Sequence, residues 1–245
     1  MDSETKKSIQ DKSKDENSIV QIIRNKLFIL AFFTASTFMF IGIAFMYTFT
    51  KPFPKGPDGF LVSGHPVFYM ISEAFMAFTL FTIAFISSIL YIWKRKTIYD
   101  TITLASAKTG ILASALTLLI GILWSKVEWG YFWQWEPRQT MTLLMFLFYT
   151  SLIIFRSTVE QEDKAKLTAV FGIAAFPTVP MTNFIVGALH PNPQATTFSS
   201  FPFIGIILLF IGTFFLYMCL LLLTIKLEQL QLEVEKKKYI LLANQ

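Results

Sequence analysis

The chain has 245 residues, of which 54% are hydrophobic and 15% charged, and its mean hydropathy is +0.55. Soluble domains run at about 45–50% apolar and about 25% charged. The excess excludes a soluble globular enzyme, a disordered chain, a collagen-like chain and a disulfide scaffold, and it predicts a polytopic membrane protein. The net charge of +5 and the single Cys, Cys219, add two exclusions. Lys and Arg cluster between apolar runs, which is a topology signal rather than a nucleic-acid footprint. A lone thiol within an apolar run provides neither a disulfide nor a redox pair.

Residues 1–26 are polar and mixed in charge, and they predict a cytoplasmic tail. This stretch does not fit the n-region of a cleaved signal peptide, so the first apolar run is expected to stay in the protein. Six apolar runs follow, at 27–49, 67–93, 102–125, 139–155, 167–186 and 202–225. Each is close to the roughly 20 residues that cross a bilayer. The fifth holds Pro177 and Pro180 and is expected to be kinked or broken. Residues 226–245 set Leu227, Leu230, Val234 and Leu241 among Glu and Lys, the pattern of an amphipathic cytoplasmic helix. The expected fold is an all-α membrane protein, a bundle of six transmembrane helices with both termini cytoplasmic. Residues 27–225 form its membrane domain.

The orientation follows from positive charge. The N-terminal tail, 94–101, 156–166 and the C-terminal tail hold 16 of the 21 Lys and Arg, counted as 6, 3, 3 and 4. The opposite segments hold Lys51, Lys55, Lys126 and Arg138, and Lys108 lies within the third run. The richer side is cytoplasmic. Pro52, Pro54, Pro57, Pro66, Pro137, Pro191, Pro193 and Pro202 fall in or beside the outer loops. Proline restricts the chain, so these loops are expected to be shaped, and shaped loops on a rigid scaffold carry function.

The second outer loop, 126–140, reads Glu128-Trp129-Gly130-Tyr131-Phe132-Trp133-Gln134-Trp135-Glu136-Pro137-Arg138-Gln139-Thr140. Trp129, Trp133 and Trp135 are three of the five Trp in the chain. An interfacial aromatic belt explains one or two of them, but not this density with Glu-Pro-Arg behind it. A helical turn would place Trp129 and Trp133 on one face, with Trp135 opposite. Pro137 suits the first turn of the fourth helix, and Glu136 then lies at its positive end. Arg138 adds a cation able to grip a carboxylate through two hydrogen bonds. Such a platform suits a planar apolar ligand bearing carboxylates, and haem fits that description.

The chain has two histidines, His65 and His190, and both are expected on the same side as this loop. A lone histidine is commonly structural, but two flanking a Trp-rich platform suggest axial ligands of haem iron. Pro66, Pro191 and Pro193 would restrain them.

The string Trp-Gly-x-x-Trp-x-Trp-Glu-Pro-Arg-x-Thr resembles the tryptophan-rich "WWD" motif of the haem-handling families of cytochrome c biogenesis. Length and span number are most similar to the CcmC family of the cytochrome c maturation system. The resemblance covers about 27–225. It implies an outward-facing WWD loop that binds haem b through Trp129, Gly130, Trp133, Trp135, Glu136 and Arg138. It also implies His65 and His190 as axial ligands. Delivery would be to a haem chaperone of the CcmE type, alongside ABC-transporter-like Ccm subunits and a small CcmD-like subunit. The setting would be the inner cell membrane, with the haem site extracytoplasmic, and the chain would export or transfer haem rather than act as an enzyme. Three departures stand out. Glu136 replaces the family's Asp, His65-Pro66-Val67 replaces His-Val-Pro, and Gln139 replaces Leu.

Two other readings stay open. One is a CcsA- or CcmF-like component of a cytochrome c haem lyase or synthase. The other is a transporter or structural subunit whose Trp cluster only anchors it at the interface. Of the remaining polar residues, Glu73 reads as paired within the bundle or as support for the haem site. Asn183 reads as a partner for carbonyls freed by the prolines. Lys108 reads as a snorkelling side chain, and Arg156 as a topogenic charge.

Overall fold

A bilayer core offers no water to backbone groups, so apolar runs of this length must satisfy their own hydrogen bonds as helices. The computed structural model describes residues 28–44, 65–182 and 203–243. The tail 1–26, residues 45–64, and residues 183–202 with Asn183 and His190 lie outside the described residues. Among the described residues all regular structure is helical. The helices are α1 (Phe28–Ala44), α2 (His65–Lys94), α3 (Thr97–Trp129), α4 (Pro137–Thr158), α5 (Gln161–Ala175) and α6 (Phe203–Ala243). Five segments are long and apolar enough to cross a membrane: Phe68–Lys94, Thr97–Lys126, Pro137–Thr158, Asp163–Thr182 and Ile204–Val234. As described, α1 is shorter than these.

Helices α2 and α3 form an antiparallel hairpin turned at Arg95 and Lys96, with Arg95 at φ 54°. α5 and α6 both pack on this hairpin, and α4 packs on α3 and α5. The core holds Met76, Leu80 and Phe81 of α2 against Met145, Tyr149 and Leu152 of α4. The Phe81 and Tyr149 rings stack with centroids 3.6 Å apart. Lipid is as apolar as Leu, so association here depends on close packing and internal hydrogen bonds. The seam between α1 and α6 shows this directly. A Cβ on Gly42 would lie 2.7 Å from the Leu209 nitrogen, and one on Gly212 would lie 2.6 Å from the Met39 nitrogen. The two backbones touch where only glycine fits.

Helices outrun the apolar runs because their charges find partners. Arg156, expected only as a topogenic charge, forms a largely buried clamp. Its guanidinium donates to Asp100 through two bonds of 2.7 and 2.8 Å, to the Lys164 carbonyl at 3.1 Å, and to the Thr168 hydroxyl. This joins α3, α4 and α5 at one end of the bundle. Lys108 likewise pairs with Glu228 of α6, so α6 continues unbroken and packed beyond residue 225.

The fifth span breaks where its prolines predict. α5 stops at Ala175 and a short helical stretch resumes at 178–182. Pro177 and Pro180 have no N–H to donate. Hydroxyls take up freed carbonyls, with Thr178 donating to Ala175 at 2.6 Å and Thr182 donating to Val179.

Removing one partner of a buried pair leaves an uncompensated charge, at a cost of about 3–5 kcal/mol. Asp100→Ala and Arg156→Leu should each lower the thermal unfolding midpoint in detergent sharply. The double variant should recover much of the loss, because no lone charge remains. Equal, additive losses would show that the pair does not couple the helices. At the glycine seam, Gly212→Leu should detach α1, read as increased protease sensitivity around 28–44.

Candidate functional site

Topology gathers one end of the bundle. Met70 of α2 faces Gly121 of α3, its sulfur 3.3 Å from where a Gly121 Cβ would sit. His65 lies five residues before the first and Lys126 five after the second, so the start of α2 and the end of α3 share this end. α4 begins here and α6 descends from it alongside α2, with Phe68 packed on Leu209. α5 rises toward it, with Phe176 stacked on Phe85 at 4.0 Å. His65 is the first residue of α2, and its side chain lies outside the described set, as does that of Trp129, the last residue of α3. His190 falls in sequence between α5 and α6, also outside the described residues.

The Trp-rich segment is pinned at both ends. Gly130 caps α3 in the left-handed conformation, φ 80°, and its N–H donates to the Lys126 carbonyl at 3.0 Å. The Lys126 ammonium donates back to the Gly130 carbonyl at 2.7 Å and lies 5.5 Å from the Phe132 ring centroid. A cation at a helix C-terminus also offsets the negative end of the dipole. At the far end Pro137 occupies the first turn of α4, as its sequence position predicts. Glu136 is the N-cap, and its carbonyl accepts from the Thr140 N–H at 2.9 Å.

Between these pins the chain is not helical. The helical turn expected to put Trp129 and Trp133 on one face ends at Gly130, because a left-handed residue cannot continue it. Trp133 packs instead against Trp135, edge to face, with centroids 5.6 Å apart and planes at 88°. Trp135 has φ 56°, also in the left-handed region, and is 71% exposed. Bulky residues avoid this conformation. Here it turns the indole outward beside exposed Tyr131 and Phe132. Arg138, on the first turn of α4, is exposed and has no carboxylate partner among the described residues.

Three further atoms bear on binding. The Trp133 indole nitrogen, the Gln139 side-chain oxygen and the Thr140 hydroxyl are buried and unpartnered among the described residues. An unsatisfied buried polar group costs about 1–3 kcal/mol, so these favour a ligand with complementary groups. Gln139 and Thr140 are the residues that sequence reasoning left without a role. Their only signal was their place in the first turn behind Pro137. Glu73 is tied to α6, where its carboxylate accepts from the Tyr217 hydroxyl. That is the paired reading of this residue, about 12 Å along α2 from His65. The arrangement offers an exposed aromatic surface, a cation and unpaired polar groups at one helix start. It suits a planar ligand with an anionic edge.

A family model described as heme exporter protein C matches residues 16–240. A cytochrome c biosynthesis ccmC-like mitochondrial protein of Marchantia polymorpha is 27% identical over 157 residues, 61% of this chain and 67% of that protein. Heme exporter protein C of Paracoccus denitrificans is 26% identical over 175 residues, 66% of this chain and 71% of that protein. A more distant relative is the cytochrome c biogenesis protein CcsA of Prochlorococcus marinus, 27% identical over 95 residues, 37% of this chain and 30% of that protein.

A Cβ at Gly130 meets nothing within 4 Å, so a substitution there is opposed by backbone strain alone. Gly130→Val should destabilise the protein by about 1–2 kcal/mol. Gly130→Asn, which tolerates the left-handed region, should lose much less. Trp fluorescence followed through thermal unfolding distinguishes the two.

Proposed function

Because the chain belongs to the heme exporter protein C (CcmC) family, we propose that it holds haem at the extracytoplasmic face of a cell membrane for c-type cytochrome biogenesis. The chain is a multi-pass membrane protein, and a haem-handling role comes with its family. The observation that carries the proposal is the segment Gly130–Pro137, pinned at both ends with the Trp135 indole turned outward and Tyr131 and Phe132 exposed.

In this reading Trp129, Trp133 and Trp135 supply the aromatic contact with the porphyrin. Gly130 sets the turn that presents them. Arg138 pairs with a propionate, and Glu136 positions the start of α4. His65 and His190 are the axial ligands of the iron. His65 would reach it from the start of α2 and His190 from the segment between α5 and α6, and Glu73–Tyr217 steadies α2 from within the bundle. The haem is haem b, carried as cargo, so the iron's chemistry is not used here. The membrane domain has six spans, α1 completing the set, with both termini cytoplasmic and the site facing outward. Residues 1–26 and 226–245 flank it on the inner side. The membrane is the inner cell membrane. The recipient is a haem chaperone of the CcmE type, and ABC-transporter-like and CcmD-like subunits work alongside.

A second reading has a specific observation behind it. The match to CcsA proteins suits a component of a cytochrome c haem lyase or synthase. The two differ in what docks at the outer face, a haem chaperone or an apocytochrome. Pull-down of each by the purified protein separates them.

The proposal predicts that protein purified after haem-replete expression carries a Soret band. His65→Ala combined with His190→Ala should abolish that band while folded yield is kept. Trp133→Ala should weaken haem retention up to about tenfold, the scale of one aromatic stacking contact. A Soret band unchanged in the double histidine variant contradicts the site.

A further inference from the structure

The opposite end of the bundle holds a second polar feature that haem handling does not use. Where α3, α4, α5 and α6 meet, a cavity of about 280 Å³ is lined by Lys108, Ile153, Arg156, Lys164, Glu228 and Gln231, among others. Sites that enclose drug-sized ligands run at about 300–1,000 Å³, so this one is of a size for a small headgroup.

Its charge is unbalanced. Arg156 is matched by Asp100 and Lys108 by Glu228. Lys164 lines the same cavity, half-buried, and its ammonium has no carboxylate partner among the described residues. Three cations against two carboxylates leave a net charge of one, so a single anionic group neutralises the cavity. The Lys108 side chain is 38% exposed and gives one of its three N–H donors to Glu228, which leaves donors for a ligand. Ile153, Leu104 and Leu232 supply an apolar part of the wall, and Ser157 and Gln231 complete it. A cationic recess between helices with a partly apolar wall matches a phosphate carried on an acyl-chain anchor.

We propose that this cavity binds a phosphate monoanion, with Lys164 as its principal charge partner and Lys108 as a second donor. Two sources share that chemistry, the phosphodiester headgroup of an anionic lipid and free phosphate. The bound group bridges α3 and α5, completing the junction that Arg156 begins.

The test uses the full-length protein in nanodiscs of phosphatidylcholine alone or with phosphatidylglycerol, and in phosphatidylcholine with inorganic phosphate. Thermal unfolding is measured in each, and retained lipid is read by native mass spectrometry. Lys164→Gln should retain phosphatidylglycerol about fivefold less than wild type, and Lys164→Arg should restore it. Stabilisation by phosphatidylglycerol alone identifies a lipid site, and stabilisation by inorganic phosphate as well identifies a general phosphate site. Equal stability in all three conditions, or equal retention by wild type and Lys164→Gln, overturns the proposal.

Discussion

The bidentate bond between Arg156 and Asp100 is the constraint on which the rest of the structure depends. A lone charge in a low-dielectric environment is costly, so each of these residues requires the other. The guanidinium also holds the Lys164 carbonyl and the Thr168 hydroxyl, so one side chain fixes the relation of α3, α4 and α5. α3 and α4 are the two helices whose opposite ends bound the Trp-rich segment. The clamp and the Trp-rich segment tie α3 to α4 at opposite ends, and the packing between them fixes the spacing of the two helices.

The pins convert that spacing into a shaped surface. A flexible loop with three indoles would collapse onto lipid or onto itself. Gly130 and Lys126 stop α3 abruptly, and Pro137 starts α4 without needing a backbone donor. Between them Trp135 adopts a conformation that a bulky residue avoids, and local strain of this kind persists where surrounding structure enforces it. The outcome is an exposed aromatic surface beside Arg138 and beside polar atoms that lack partners in the described chain. Haem, planar and apolar with two carboxylates, complements such a surface.

Much of this was legible in the sequence. Apolar runs marked the spans, Pro137 marked the start of α4, and Pro177 with Pro180 marked the break after α5. These are local signals, set by neighbours a few residues away. What escaped was the partner in each long-range pair. Arg156 meets Asp100 across 56 residues, Lys108 meets Glu228 across 120, and Tyr217 meets Glu73 across 144. A hydropathy window reads each as an isolated polar residue, so α3 and α4 were expected to be shorter than they are, whereas the amphipathic pattern of 226–245 already extended the last helix. The Trp129/Trp133 spacing also misled, because i, i+4 neighbours share a face only while the helix lasts, and Gly130 ends it. The histidines were proposed from composition and side of the membrane. Their side chains lie outside the described residues, so their part in the site rests on that reasoning.

The central claim is that one haem sits on the Trp-rich surface between two histidines. Electron paramagnetic resonance of the oxidised, haem-loaded protein tests it most directly. The account predicts a low-spin ferric signal typical of two imidazole ligands, converting to high spin when either His65 or His190 is replaced by Ala. A high-spin signal in the wild-type protein, or a low-spin signal indifferent to both substitutions, would contradict it.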